Sequence, residues 1–306
     1  MKKRKQHYVW EHYLKAWAVE GRVWCKRGEA RFRASTDKIA NEGDFYRLKE
    51  MSAVDLQFIE ALIDRMGQHL REGARGWIPN FRVFHQIKRQ YEASGQKNPE
   101  LEAHLDEVLN NLEEDMHASL EEKAVPLLAA LRAEDATPLD DDDMFIRFAR
   151  FIAAQQLRTP GMQRRWIEAG AILPGFNAEA SVGLLRTILA TNLGFSFFQS
   201  RRTLRLTFVN TPSGVEFITG DQPLINTRAD RTDPATPPTE LELYYPLTPE
   251  RALLLDFDAG YARERRTLTE NEVGAYNDMI AERSESQVYA RSEGALPHRP
   301  HGSGSP

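Results

Sequence analysis

Between about residue 52 and residue 198 the apolar residues of this chain recur at helical spacing. Period-two alternation is confined to the stretches before and after. Strands and helices that come in separate runs argue against a doubly wound βαβ fold and for an α+β class. The expected architecture is a helix-rich middle, antiparallel strands near the N-terminus and a mainly antiparallel sheet in the C-terminal third. The clearest helix covers 144–158, where Phe145, Phe148, Ile152 and Gln155 or Gln156 lie along one side and Thr159-Pro160-Gly161 marks an end or a kink.

Other elements follow from the same periods. Residues 8–17 predict a short amphipathic helix and 21–34 an arginine-rich β-hairpin. A helix over 52–73 has Ser52 as cap with Asp55 three residues on. Further helices are expected over 80–93, 100–131 with Pro126 inside, 162–169 and 178–198. In the last third, 204–208 and 215–219 read as a hairpin that 224–225 continues, and 228–240 as an exposed loop. Two strands, 242–247 and 251–257, are split by Thr248-Pro249. A closing helix over 269–283 has Thr269 and Glu272 as its capping box, and 287–291 is a last strand. Residues 1–291 read as one domain whose only candidate sub-boundary is 135–143, and 292–306 as a disordered tail rich in Pro, Gly and Ser.

With 306 residues, 41% of them hydrophobic, the chain can bury a sizeable core. A formal charge of −5 gives no whole-protein field for nucleic acid. The lone Cys25 can form neither an internal disulfide nor a zinc knuckle. No apolar run approaches a membrane span, and the stretch after Lys2, Lys3, Arg4 and Lys5 is broken by Glu11, His12 and Lys15. The expectation is a cytoplasmic protein with no membrane partner.

Phosphate-loop, dinucleotide, zincin and α/β-hydrolase signatures are absent. Three polar clusters remain. His7 and Glu11 share a face if the opening segment is helical, an arrangement suited to a metal or a proton, though a surface histidine beside a solvated glutamate is the commoner outcome. Gln155, Gln156 and Arg158 crowd the end of a very apolar helix, where Arg serves either as a dipole partner or as an anion binder. The strand end Gly220-Asp221-Gln222-Pro223 aims a carboxylate off a sheet edge, unless Asp221 is spent on an Asx-turn. Gly220 is expected to permit an unusual backbone angle there. The acidic runs 113–115, 121–122 and 140–143 read as solvated faces and caps. Glu60 and Glu114, on helices with a buried side, are candidate site carboxylates.

In order and spacing these pieces resemble the bacterial and fungal domain-of-unknown-function family 4238. The resemblance rests on Lys5-Gln-His-Tyr-Val9 with Tyr13-Leu14 and Trp17; on Asn41, Asp44, Phe45 and Tyr46; and on Gln155, Arg158, Thr159 and Pro160. It continues through 217–223, Pro246-Leu-Thr-Pro249 and Asn277. Trp10, Gly220 and Gln222 depart from the family's usual Pro, Ser and Asn. The residues that carry the likeness are polar, which implies that His7, Asp44, Gln155, Arg158, Asp221 and Asn277 converge on one pocket.

Two functions fit that expectation. The first is a hydrolase acting on nucleic acid or a nucleotide, nuclease-like, in bacterial defence or as a toxin. There His7, Asp221 and Arg158 are catalytic, and Gln155, Asp44, Asn277 and Tyr13 bind ligand. Asp221, Glu60 and Glu114 hold a divalent Mg or Mn ion. The second is a non-catalytic module that senses a ligand or a protein partner, its polar residues forming a buried network.

Overall fold

Ser52 and Thr269 each close a full capping box, the first with Asp55 and the second with Glu272, and so start two helices where the sequence places them. The computed structural model describes residues 1–229, 240–257 and 260–298. Its helices are α1 (Glu11–Leu14), α2 (Ala53–Asp64), α3 (Gln68–Ala93), α4 (Pro99–Arg132), α5 (Asp142–Leu157), α6 (Pro160–Ala171), α7 (Ala178–Gln199) and α8 (Glu270–Arg283). Its strands are β1 (Gln6–His7), β2 (Arg22–Arg27), β3 (Ala30–Ser35), β4 (Asn41–Glu42), β5 (Arg205–Asn210), β6 (Thr219–Gly220), β7 (Ile225–Asn226), β8 (Glu242–Thr248), β9 (Arg251–Asp256), β10 (Ala262–Thr267) and β11 (Gln287–Ala290). The class is α+β.

Strands from the two chain ends form one sheet, in the order β3-β2-β11-β6, with Tyr289 of β11 opposite Cys25 of β2. A second sheet runs β10-β5-β9-β8-β7 and is mixed, because β10 lies parallel to β5. The main core lies between these sheets and the inner faces of α4 and α5. There Phe145, Phe148, Phe151 and Ile152 meet Tyr13, Tyr245 and Leu253, all buried. Each such side chain contributes roughly 1.5–3 kcal/mol on burial.

Several expectations are corrected. The opening helix is only α1 and a following 3-10 turn; Gln6 and His7 instead pair with Glu42 and Asn41 as β1 and β4. The Gln6 side chain fixes this by donating to the Asn110 carbonyl, at 2.6 Å, and accepting from the Tyr46 amide, at 2.6 Å. His7 and Glu11 therefore do not share a helical face. The helix expected over 52–73 stops at Asp64, and α3 starts at Gln68 and runs through Pro79. Strand β5 pairs with β9 and β10 rather than with 215–219. The charged strand β10, Ala-Arg-Glu-Arg-Arg-Thr, has no apolar alternation to announce it. Residues 292–298 pack rather than fray: Leu296 is buried and the Pro297 carbonyl accepts from Lys26 at 2.8 Å. Residues 230–239 of the expected loop and 299–306 of the expected tail lie outside the described residues.

Helix α7 is the one helix among the described residues long and apolar enough for a membrane span. It packs along α5, and its Arg186 is buried in an ion pair with Glu113 of α4, at 2.6 Å.

A buried charge cluster as candidate functional site

The first half of α4 turns a polar stripe inward. Asn110, Glu113, Glu114, His117 and Glu121 stand three or four residues apart, so they share the face that Ala124 and Leu128 continue as core. Three elements meet this stripe: α7 supplies Arg186, the end of α5 supplies Gln155 and Arg158, and the N-terminal strand brings His7. Gly183 of α7 leaves room for Glu113, since a Cβ there would stand 2.5 Å from a Glu113 carboxylate oxygen.

The charges pair off. Glu113 accepts from Arg186, whose guanidinium also donates to Gln163 at 3.0 Å and lies 5.0 Å from the Tyr46 ring centroid. Arg158 sits 2.5 Å from Glu121 and donates through Nε to the Tyr8 carbonyl at 3.2 Å. Burial opposes the Arg158 charge, but Glu121, Tyr46 and Glu114 outweigh it and hold the guanidinium charged. For Glu113, burial pushes the carboxyl up and Arg186 and His117 pull it further down.

That leaves one carboxyl and one imidazole over. Glu114 is pushed up to about 7, by burial first and by the Glu121 charge after Arg158 has pulled the other way. His117 is lowered to about 4, chiefly by burial, so its ring is neutral at pH 7. Its Nε2 lies 3.6 Å from Glu113, too long for a hydrogen bond. Among the described residues neither Glu114 Oε2 nor His117 Nε2 has a hydrogen-bond partner. A protonatable acid and a neutral imidazole thus stand one helical turn apart on the inward face of α4.

Two cavities flank the Glu113–Arg186 pair. A cleft of about 430 Å³ opens between α3, α4, α5 and α7, with Trp77, His117, Arg150 and Thr191 in its wall. A smaller cavity of about 230 Å³ lies on the other side, walled by Asp44, Phe45, Tyr46 and Gln163. Glu113 and Arg186 line both.

The residues expected to converge do so only in part. His7, Gln155, Arg158 and Glu114 meet at the cluster: the His7 backbone amide faces the Glu114 carboxyl, and the Gln155 side chain faces Glu121. The His7 ring is half-buried beside Asn41, its pKa lowered by burial. Asp221 is near but spent. Its two carboxylate oxygens accept from the backbone amides of Glu285, Ser286 and Gln287 at 2.7, 2.7 and 2.9 Å, and from the Ser286 hydroxyl. These donors lock the turn between α8 and β11. Burial pushes the Asp221 carboxyl up, and the same donors work against that. A relay of bonds joins it to Arg158: Gln287 amide to Asp221, Gln287 side chain to Tyr8 hydroxyl, Arg158 to Tyr8 carbonyl.

Two candidates, Asn277 and Tyr13, lie apart from the cluster, and a third, Asp44, reaches only the wall of the smaller cavity. Asn277 stitches α8 to the chain before β6, donating to the Glu216 carbonyl and accepting from the Ile218 amide. Tyr13 is buried on Thr219 and the Pro246 carbonyl and stacks on Tyr245. Asp44 is exposed in a left-handed turn, φ 57°, with Lys2 at 3.8 Å. The expected metal set does not assemble. Glu60 pairs with Arg75 at 2.9 Å on α2, Asp221 is consumed by backbone donors, and only Glu114 is in the cluster. Among the described residues no three His, Cys, Asp or Glu side chains are placed to hold a metal ion.

Gly220 serves a different end from the one expected. Its backbone is not left-handed; a Cβ there would strike the Ser284 hydroxyl and close to 3.2 Å on the Gln287 carbonyl. Gln222 reaches the end of α5, where its side chain accepts from Thr159 and donates to the Leu224 carbonyl at 2.9 Å. Glu113 and Glu121, expected on solvated faces, are buried, and Tyr46, expected only as part of the family likeness, packs against Arg186; His117 and Arg186 carry no expectation from the sequence. The available signal was the inward spacing of Asn110, Glu113, Glu114, His117 and Glu121 on one helix face.

The fold and its interior charge cluster define an α+β protein organised around a polar helix face. The chain belongs to the family described as protein of unknown function (DUF4238), which matches residues 5–172 and 183–294. No curated protein and no solved structure matches it.

Proposed function

We propose that this chain is a ligand-sensing module whose ligand enters the cleft over α4 and is read out through the buried charge cluster to the N-terminal strand. One observation carries the reading: a buried ion pair, Glu113–Arg186, forms the wall of the cleft on one side and of the second cavity on the other. Apolar side chains of similar volume would often stabilise such a position equally well, so stability alone gives no reason for the pair. The polar residues of the family likeness that leave the cluster free, Asp221, Asn277 and Tyr13, act as stitches between elements, which suits a framework more than a reaction centre. A cytoplasmic setting belongs to the same reading.

A thermal-shift panel tests it with nucleotides, short nucleic acids, divalent metal salts and small organic acids, on wild type and on Ala190→Trp, which fills the cleft. A ligand at about a hundred times its dissociation constant adds roughly 2.7 kcal/mol. Stabilisation of wild type and not of the folded variant supports the reading. Equal stabilisation of both, or of neither by any compound, removes it.

The hydrolase reading keeps one supporting observation. Glu114, near 7, is an acid poised to exchange its proton at neutral pH, whereas His117, lowered to about 4, is neutral there and only a weak base. On that reading Arg158 steadies phosphate charge in a nucleotide or nucleic-acid substrate, and no metal held by Asp221 is needed. Turnover of a chromogenic phosphodiester by wild type and not by Glu114→Gln would favour it; no turnover by wild type would set it aside.

A further inference from the structure

We infer that the cleft over α4 takes an amphiphilic monoanion, a flat apolar body with one anionic head group, and that Arg150 is the residue that meets the head. The inference rests on the reading of the cleft as a ligand site and names its ligand class. The cleft's volume, about 430 Å³, falls in the range of small-molecule pockets. Its walls are largely apolar: Trp77 of α3, Met116 and Leu120 of α4, Ala154 of α5 and Ala190 of α7. The half-buried indole of Trp77 offers a flat face for a planar body.

The charges around the cleft select the head group. Glu113 is neutralised by Arg186, and Asp115 by Lys3 at 2.6 Å. Arg150 is exposed and has no carboxylate within ion-pair distance among the described residues. The cleft therefore carries one uncompensated positive charge. A cationic ligand finds no free carboxylate there, and a polyphosphate would need more cations than one. Gly194 lets α7 come close to α5 at this point: a Cβ on Gly194 would stand 3.1 Å from the Arg150 Cα and 3.3 Å from its Cγ.

The hydroxyls in the wall complete the selection. Thr187 donates to the Gly183 carbonyl at 3.0 Å and Thr191 to the Thr187 carbonyl at 2.8 Å. With their protons committed, both offer only lone pairs, so they repel an anionic oxygen and accept from an N–H or O–H on the ligand body. The head is directed to Arg150.

Fluorescence titration with 8-anilinonaphthalene-1-sulfonate tests this, beside its neutral parent N-phenyl-1-naphthylamine and ATP as a polyanion. Wild type, Arg150→Met, Arg150→Lys and Ala190→Trp are compared, each first shown to keep the wild-type circular dichroism and cooperative melting. The sulfonate should bind one per chain. Arg150→Met should weaken it about tenfold, as loss of a hydrogen bond to a charged group does. Arg150→Lys should restore part of that, the neutral parent should change less than twofold, ATP should not compete, and Ala190→Trp should abolish binding of both dyes. If Ala190→Trp blocks both dyes and Arg150→Met changes neither, the ligand class is wrong and the cleft site stands. Sulfonate binding that survives Ala190→Trp overturns the inference and the site together. Failure of wild type to bind the sulfonate, while the neutral dye binds and is blocked by Ala190→Trp, overturns the inference alone.

Discussion

Replacing Glu114 by Gln should make the protein more stable at neutral and alkaline pH. The Glu114 carboxyl stands at about 7 in the fold against an ordinary 4.5, because burial and Glu121 disfavour its charge. An acid whose folded pKa is raised carries no penalty below its unfolded value. The penalty grows as pH rises through the interval from 4.5 to about 7 and stays full above it. Two and a half units at 1.36 kcal/mol each give about 3 kcal/mol. The amide cannot ionise, so the variant escapes this penalty. His117 works in the opposite sense: its folded pKa of about 4 lies below the usual 6.5, so its penalty appears as pH falls through that interval and also approaches about 3 kcal/mol. Between pH 4.5 and 6.5 the two slopes oppose each other in wild type. Glu114→Gln leaves the His117 slope unopposed. Urea unfolding at half-unit steps from pH 4 to 8 reads both effects. The difference between variant and wild type should be near zero at pH 4.5 or below and should rise to as much as about 3 kcal/mol in the variant's favour by pH 7.5. Parallel curves for the two proteins would refute the assignment of Glu114 as a buried acid.

Other substitutions follow from the same geometry. Asp221→Ala should destabilise by several kcal/mol, on the order of 1–3 for each backbone amide left without an acceptor, and divalent metal should not change the melting temperature of wild type or variant. Arg158→Met strands Glu121 in the interior and should cost about 3–5 kcal/mol, whereas Arg158→Met with Glu121→Leu should recover most of that loss in chemical unfolding; a double variant no better than the single one would contradict the pair. Gly220→Ala should cost about 1–3 kcal/mol by collision with the Ser284 hydroxyl, and adding Ser284→Gly should return part of it; no rescue would show that Gly220 is needed for another reason.

How far the residues alone disclosed this molecule depends on how local each feature is. The capping boxes at Ser52 and Thr269, the α5 stripe of Phe145, Phe148 and Ile152, and the turn at Thr248-Pro249 are decided within a few residues, and all are present in the fold. Strand pairing is not local. Strand β5 lies beside β9 and β10, more than 40 residues on, and β6 finds β11 almost 70 residues on, so the apparent hairpin over 204–219 had no physical claim to be one. The short break at 65–67 is not legible in the sequence because apolar spacing continues across it. Glu113 and Glu121 look like any solvated acidic run until Arg186 and Arg158 arrive from distant helices to neutralise them. Asp221, expected as a catalytic carboxylate, and Asn277 and Tyr13, expected as ligand binders, spend their polar atoms inside the fold. Their purpose is to satisfy backbone and side-chain groups that the fold buries.

A ligand in the cleft should be felt by the N-terminal strand through the α4 cluster. Amide hydrogen exchange with and without saturating 8-anilinonaphthalene-1-sulfonate measures that coupling. The His7 amide faces Glu114, and the Tyr8 amide donates to the Ala40 carbonyl at 3.0 Å. Binding should alter exchange over residues 6–9 and 40–46 in wild type, and Glu113→Gln should lose that change. Changes confined to the cleft walls on α3, α5 and α7 would contradict it.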